Sequence, residues 1–249
     1  TIIYALTIMD WRNIWIIISV AIILFLPMVS YFLVKEVKLS SREDDNEVIK
    51  ENIKQWKRSE VIKDYRFIII ALNMLAMPWI ATGIFVYQSF ILSAKNWGEY
   101  TIAQSFMVYS IASVLTLFVA GYLIDKFTSR KLLIYMNIPF LISLLILIYF
   151  QSPISSFFFL GLIGVSNGFA NVLGSSTWAE LYGVKFIGSI KALTTALMVF
   201  STAFGTALFG LMIDFDFSIE QISMISGGYI LISLILLFLI KNKLNPTIL

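Results

Sequence analysis

The stretch GYLIDKFTSRKLL, residues 121–133, decides how this chain folds. Four charged side chains, Asp125, Lys126, Arg130 and Lys131, fall within seven residues of this stretch. Uncharged apolar runs flank them, each long enough to cross a bilayer. A short charged turn between two such runs predicts two membrane-spanning helices that are joined at the membrane surface.

The composition indicates a chain that is solvated by lipid. Hydrophobic residues make up 59% of the 249 residues and charged residues only 13%. A water-soluble domain could not cover this much apolar surface with so little polar material. The sequence contains no cysteine and no histidine, which excludes disulfides and metal sites built from thiolates or imidazoles. We therefore predict no cofactor.

Seven apolar runs reach the length of about 20 residues that a transmembrane helix needs. They predict an all-α integral membrane protein with seven complete transmembrane helices, at roughly 14–34, 67–92, 100–124, 132–150, 156–177, 192–213 and 222–240. Residues 1–9 are apolar but too short to cross. We interpret them as the end of an eighth helix that begins before Thr1, with a short interfacial segment as the alternative.

The basic residues predict the orientation of the chain in the membrane. All Lys and Arg residues except Arg12 and Lys95 fall in loops on one side. By the positive-inside rule that side is cytoplasmic, so we expect a multi-pass protein of the cell (plasma or inner) membrane with a cytoplasmic C-terminus.

The long charged loop at 35–66 divides the chain. We predict the end of one helical bundle, a cytoplasmic linker, a six-helix bundle and a cytoplasmic tail, at 1–34, 35–66, 67–240 and 241–249. Within the linker, Ile49, Ile53 and Trp56 follow helical spacing and favour an amphipathic helix on the membrane surface. A flexible solvated tether is the alternative.

The 121–133 stretch resembles the loop motif of the major facilitator superfamily, Gly-x-x-x-Asp-basic followed by a Gly-containing turn and two bases. The matching residues are Gly121, Asp125, Lys126, Arg130 and Lys131, and Thr128 stands where the motif has glycine. The stretch at 9–15 resembles the outer turn before the sixth helix of these transporters. Residues 82–97 and 178–214 resemble bacterial members close to the monocarboxylate and oxalate/formate branch.

The resemblance covers residues 9–240 and implies a major-facilitator-type helical bundle. The chain would then be the C-terminal six-helix half of a twelve-helix transporter with the last helix of its N-terminal half, and thus N-terminally truncated. We expect Gly121, Asp125, Lys126, Arg130, Lys131 and Glu180 to form a cytoplasmic gate. Simple topology anchoring is the alternative for the motif, and pairing with Lys185 or Lys191 is the alternative for Glu180.

The resemblance also implies that the spans at 67–92, 100–124, 156–177 and 192–213 line a solute cavity. The candidate cavity residues are Asn73, Gln104, Tyr109, Asn167, Asn171, Thr195 and Thr202, and the candidate outer-gate residues are Tyr87 and Gln88. Each of these polar side chains has helix-to-helix bonding as its alternative role. Gly164 with Gly168, and Ala203 with Ala207, are predicted to be packing contacts.

These observations favour a secondary active or facilitative transporter of a small organic solute that works by alternating access. No span carries a charge in its middle, which favours a neutral or amphipathic solute. A co-transported proton would need a group such as Glu180, Asp125 or Asp214, or one outside this chain. The other expected partner is the lipid bilayer, and nothing indicates nucleic acid.

Three other functions are compatible with parts of the sequence. A seven-helix receptor or sensor fits the helix count, but a retinal protein needs a lysine in its last helix and 222–240 has none. An integral membrane enzyme lacks support, because Glu180, Asp125 and Asp214 lie in different loops and no nucleophile–base pair accompanies them. A non-transporting fragment of a transporter gene remains the third alternative.

Overall fold

A computed structural model describes residues 9–34 and 54–247. The chain divides into two compact units, Thr1–Glu51 and Asn52–Leu249. The described part of the first unit is one helix, α1 (Trp11–Val34), and the Asp10 carboxylate accepts a hydrogen bond from the Arg12 backbone N–H at its start (3.2 Å). The predicted end of an eighth helix in residues 1–9, and most of the predicted surface helix in 35–66, lie outside the described residues.

The described part of the second unit is helical. Its helices are α2 (Arg58–Val61), α3 (Tyr65–Ala76), α4 (Thr82–Val86), α5 (Gln88–Lys95), α6 (Glu99–Phe127), α7 (Ser129–Met136), α8 (Ile138–Tyr149), α9 (Ser155–Tyr182), α10 (Ile187–Asp214) and α11 (Ile219–Ile240). A π-helical turn, Met77–Ala81, joins α3 to α4, and a 3-10 turn, Lys241–Lys243, follows α11.

Seven helical stretches of the described residues are long and apolar enough to cross a membrane. They are Trp11–Tyr31, Tyr65–Val86, Tyr100–Phe127, Ser129–Tyr149, Ser155–Tyr182, Ile187–Asp214 and Ile219–Lys243. The predicted all-α membrane class and the seven complete spans are therefore confirmed. The ends differ from prediction where hydropathy does not set them: α9 continues past residue 177 to Tyr182, because the chain turns only at Gly183, with φ 80°.

In chain order the six spans of the second unit form two groups of three. The first group is α3–α5, α6 and α7–α8, and the second is α9, α10 and α11. The first span of each group packs against the second and third spans of the other group. Thus α9 contacts α6 and α7–α8, and α3 with its π turn contacts α10 and α11. This reciprocal arrangement is the one expected of two repeated three-helix units.

Direct backbone contact joins α9 to α6. A Cβ added at Gly164 would overlap the carbonyl oxygen of Tyr109, and one added at Gly168 would lie 2.6 Å from the carbonyl oxygen of Ser113. Glycine is therefore required at both places, since any side chain would push the helices apart. The predicted packing contact at Gly164 and Gly168 is confirmed.

The matching contact in the other half of the bundle joins α10 to the π turn. A Cβ added at Gly205 would overlap the carbonyl oxygen of Trp79. Ala203 and Ala207, which were predicted to make this kind of contact, are exposed, so that prediction was wrong. Gly205 lies between them on a different face of the helix, because successive helical residues point about 100° apart.

A fully buried polar cluster ties α3 to the break between α7 and α8 and to α11. The Asn73 Oδ1 accepts hydrogen bonds from Asn137 Nδ2 (3.0 Å) and Ser233 Oγ (3.2 Å). The Asn73 Nδ2 donates to the carbonyl of Leu133 (3.4 Å). In a lipid-solvated bundle each such bond is worth about 0.6–2 kcal/mol, so Asn73 helps to hold three spans together.

The turn between α6 and α7 contains a strained residue. Thr128 has φ 72° and ψ 147°, and the corresponding turn after α9 places Gly183 at φ 80° and ψ 173°. This region of backbone space is essentially restricted to glycine and costs other residues about 1–3 kcal/mol. The sequence departs from the expected glycine at Thr128, but the backbone keeps a glycine conformation.

Gly164→Ala is expected to lower the free energy of unfolding, because the added methyl group meets backbone that cannot rotate away. Overpacking of this kind costs about 1–3 kcal/mol. The check is the melting temperature of the purified protein in detergent. Gly174→Ala on the same helix is the matched control, since its added Cβ meets nothing within 4 Å. Equal melting temperatures for the two variants would contradict the backbone contact.

Thr128→Gly is expected to raise the free energy of unfolding. The released strain of about 1–3 kcal/mol exceeds the extra chain entropy that glycine gives the unfolded state, about 0.4–1 kcal/mol, so the net gain is about 1 kcal/mol. Thr128→Ala keeps the Cβ and should give no gain in the same melting experiment. A gain in both variants would instead implicate the Thr128 hydroxyl, which is buried without a hydrogen-bond partner among the described residues.

Candidate functional site

Five helices of the second unit surround a cavity of about 230 Å³. They are α3, α4, α6, α9 and α10, together with the π turn. The lining residues are Ala71, Met74, Leu75, Met77, Pro78, Ala81, Thr82, Phe85, Tyr109, Asn167, Ala170, Asn171, Gly174, Trp178, Thr194, Leu197 and Met198. None of them is charged, so the cavity is an apolar space with a few polar groups.

Pro78 explains why one wall of the cavity is irregular. Proline has no N–H and its ring collides with the carbonyl four residues earlier, which here belongs to Met74. The chain responds by widening into the π turn at Met77–Ala81. The widened turn brings Met77, Pro78 and Ala81 to the cavity surface.

The two asparagines of α9 supply the main polar surface. Asn167 Nδ2 donates a hydrogen bond to Ser113 Oγ of α6 (2.9 Å), and Asn171 Nδ2 donates to the Asn167 backbone carbonyl (2.9 Å). Each side-chain NH₂ group thus donates one hydrogen bond within the protein. Among the described residues, neither side-chain carbonyl oxygen receives a hydrogen bond, and the Tyr109 hydroxyl makes none.

The structure brings some of the predicted cavity residues together. Tyr109, Asn167 and Asn171 line one cavity, and the two asparagines share a face of α9 as their spacing predicted. Asn73 does not line it, because its side chain is fully buried in the polar cluster with Asn137.

The remaining predicted cavity residues also lie elsewhere. Gln104 and Thr195 are exposed, and the Thr202 hydroxyl donates to the carbonyl of Val199 (2.7 Å). Thr194 lines the cavity in place of Thr195. The spacing of residues along α10 does not show which of Thr194 and Thr195 faces the cavity. The apolar lining, including Trp178, was also missed, since apolar residues occur on every face of these helices.

The predicted outer-gate residues differ in their surroundings. Tyr87 lies at the break between α4 and α5, with φ −99°, and a Cβ added at Gly210 of α10 would overlap its hydroxyl. Gln88, the next residue, is exposed. Tyr87 therefore packs the end of α4 against α10, and its gating role remains a prediction.

One end of the second unit carries the segments 54–66, 126–131, 180–191 and 241–247, and we call it the basic end. Here the Glu180 carboxylate pairs with the Arg130 guanidinium and accepts hydrogen bonds from Ser129 through its backbone N–H (3.0 Å) and its hydroxyl. Glu180 does not pair with Lys185 or Lys191, its predicted alternative partners. The amide at the start of α7 and a fixed guanidinium together offer the carboxylate a better site than flexible lysines.

Two arginines hold the C-terminal segment at the basic end. Arg130 Nη1 donates to the Leu244 carbonyl (2.9 Å) and to Asn245 Oδ1 (2.9 Å). Arg66, itself paired with Asp64 (2.8 Å), donates to the Asn245 carbonyl (2.8 Å). The segment predicted to be a cytoplasmic tail thus packs against the bundle as far as residue 247.

The final part of the predicted linker also packs on the basic end. Trp56 lies outside any helix and its ring meets that of Tyr182 edge-on, with centroids 5.5 Å apart. The Lys54 ammonium lies 4.1 Å from the Trp56 ring centroid. The inclusion of Trp56 in an amphipathic surface helix was therefore wrong, because an aromatic partner and a cation hold this ring against the protein.

The remaining motif residues contact little within the described part of the chain. A Cβ added at Gly121 meets nothing within 4 Å, so no neighbouring helix among the described residues approaches closely there. Asp125, Lys126 and Lys131 are exposed, and none forms an ion pair with another described residue. Of the predicted gate residues, the structure brings together Arg130 and Glu180.

Comparison with known proteins identifies the family. The model of the Major Facilitator Superfamily matches residues 2–206 and 68–248, which together span nearly the whole chain. No curated protein and no solved structure matches the chain. Members of this family are transporters and not enzymes. With its membrane-length helices and its match to the family model, the chain belongs to the Major Facilitator Superfamily and is a multi-pass membrane transporter.

Proposed function

We propose that the chain transports a small, neutral or amphipathic organic solute and that the 230 Å³ cavity is its binding site in this bundle. The observation that carries the proposal is the lining itself. Methionine, aromatic and aliphatic side chains form most of the surface, and a few polar groups interrupt it, as in most small-molecule sites. The branch close to monocarboxylate and oxalate/formate transporters is less consistent with this lining, because a carboxylate would meet no base in it.

Three oxygen atoms would orient the solute. The side-chain carbonyl oxygens of Asn167 and Asn171 accept hydrogen bonds, and the Tyr109 hydroxyl can donate or accept. A solute with hydroxyl or amide groups would satisfy them, and its apolar part would contact the methionines. A charged solute would lose its hydration without gaining an opposite charge, which makes it a poor occupant.

The proposal includes alternating access. The six-helix bundle would rock against the other bundle of the transporter, so that the cavity is exposed to each side of the membrane in turn. The glycine contacts at Gly164 and Gly205 would allow α9 and α10 to slide during this movement, because no interlocking side chains would have to be repacked. We extend the proposal to the cytoplasmic gate formed by the 121–131 turn and the segment around Glu180.

Gly174→Leu is the sharpest test of the cavity, since Gly174 lines it and a Cβ added there meets nothing within 4 Å. A panel of neutral, anionic and cationic solutes is first screened on the purified protein for a rise in melting temperature. We expect neutral or amphipathic solutes to stabilise the protein, and Gly174→Leu to weaken that effect at least tenfold in solute concentration.

Gly228→Leu is the matched control, because its added Cβ also meets nothing within 4 Å and Gly228 does not line the cavity. It should respond to solutes as the wild type does. Stabilisation only by anionic or cationic solutes would overturn the proposed solute class. An unchanged response in Gly174→Leu would overturn the proposed cavity.

Asp125→Asn tests the gate in proteoliposomes loaded with the solute found in that screen. Loss of the carboxylate should reduce the initial uptake rate at least fivefold while solute-induced stabilisation persists, because the gate acts on conformational exchange and not on binding. Asp216→Asn, a change at an exposed acid at the opposite end, is the control and should transport normally. Normal transport by Asp125→Asn would reduce the motif to a topology signal.

A further inference from the structure

A second cavity, of about 450 Å³, opens at the basic end beside the 3-10 turn that follows α11. It is lined by Thr128, Arg130, Lys131, Ile134, Tyr135, Lys241, Asn242, Leu244 and Asn245. Three of these side chains are basic and none is acidic. The cavity is therefore a positively charged recess on a protein that is otherwise poor in charge.

Two of the three bases are uncompensated. Arg130 is paired with Glu180, but neither Lys131 nor Lys241 forms an ion pair among the described residues. The Lys241 ammonium lies 3.7 Å from the centroid of the Phe238 ring, which fixes its position without neutralising it. The recess thus has two lysine charges available for an anion.

An apolar groove of about 260 Å³ adjoins the recess and runs between α7–α8 and α11. Its lining residues are Ile134, Ile138, Leu234, Ile235, Phe238 and Leu239. Ile134 lines both spaces. Phe238, which lines the groove, stacks its ring against the ammonium of Lys241, which lines the recess. The two spaces are therefore parts of one continuous surface.

On both walls of this surface the side chains change from basic to aromatic to aliphatic, in the same order. Along α7 and α8, Lys131 is followed at helical spacing by Tyr135 and then Ile138. On the other wall, read away from the basic end, Lys241 of the 3-10 turn is followed by Phe238 and then Ile235 of α11. A base, an aromatic ring and an aliphatic chain are the groups that match a membrane's phosphate layer, interface and hydrocarbon in turn.

We propose that this surface is a binding site for one anionic phospholipid. Lys131 and Lys241 would hold the phosphate in the recess, the Tyr135 ring would lie at the glycerol level, and one acyl chain would fill the apolar groove. Basic pockets between transmembrane helices at the cytoplasmic face are suited to such head groups. A soluble phosphate fits the recess alone and leaves the groove without an occupant, so the continuity of the two spaces favours the lipid.

The test is lipid retention by the full chain. The protein is purified from mixed micelles that hold equal amounts of phosphatidylglycerol and phosphatidylcholine, and the bound lipid is counted by native mass spectrometry. The wild type should retain about one phosphatidylglycerol in preference to phosphatidylcholine. The double variant Lys131→Gln, Lys241→Gln should lose that preference at least fivefold.

Two further variants separate the effect of charge at the basic end from binding in the recess and groove. The double variant Lys185→Gln, Lys191→Gln removes the same charge from the same end but outside the recess, and should retain the lipid. Ile235→Trp should reduce retention by filling the groove while leaving every charge in place. Equal retention by all variants would overturn the site. Displacement of the lipid by millimolar inorganic phosphate would overturn the lipid as its occupant and assign the recess to a soluble phosphate.

Discussion

Close contact between backbones at glycine is the constraint on which the rest of the bundle depends. Helices in a bilayer gain little by burying apolar side chains against each other, since lipid tails solvate those side chains equally well. What remains is dispersion at short range, and this needs small residues. Gly164 and Gly168 bring α9 onto α6, and Gly205 brings α10 onto the π turn of the leading span. The position of the cavity between the two three-helix groups follows from these contacts.

Buried amide side chains take two roles in this fold, and their hydrogen bonds distinguish them. Asn73 uses both its amide and its carbonyl oxygen within the protein, so it stabilises the junction of three spans. Asn167 and Asn171 use their NH₂ groups in the protein and leave their carbonyl oxygens without partners among the described residues. A residue type that is usually assigned to substrate contact in membrane helices therefore has to be judged atom by atom.

Much of the fold could be predicted from the sequence because hydropathy reports directly on the thickness of the membrane. The number and rough position of the complete spans followed from apolar length, and Gly164 with Gly168 followed from their spacing. Helix ends were less predictable, because a single positive φ at Gly183 ends α9 where hydropathy does not. The lining of the cavity was only partly predictable: Asn171 and Thr194 line it and Thr195 does not, and in helices that are apolar all round nothing marks the face that lines a cavity. Ion-pair partners were the hardest feature to predict, because Glu180 can pair with Arg130 only when two turns that are distant in sequence meet in the fold.

The hydrogen bond between the Lys54 backbone N–H and the Thr247 carbonyl (2.8 Å) joins the first and last described residues of the second unit. An even number of spans lies between them, so both ends of this unit emerge on the same face, and here they are also tied together. The first and last spans of the unit, α3 and α11, are therefore joined at this face through the ends of the segment as well as by their own packing. Separating these two spans would have to break this hydrogen bond in addition to the contacts between the helices.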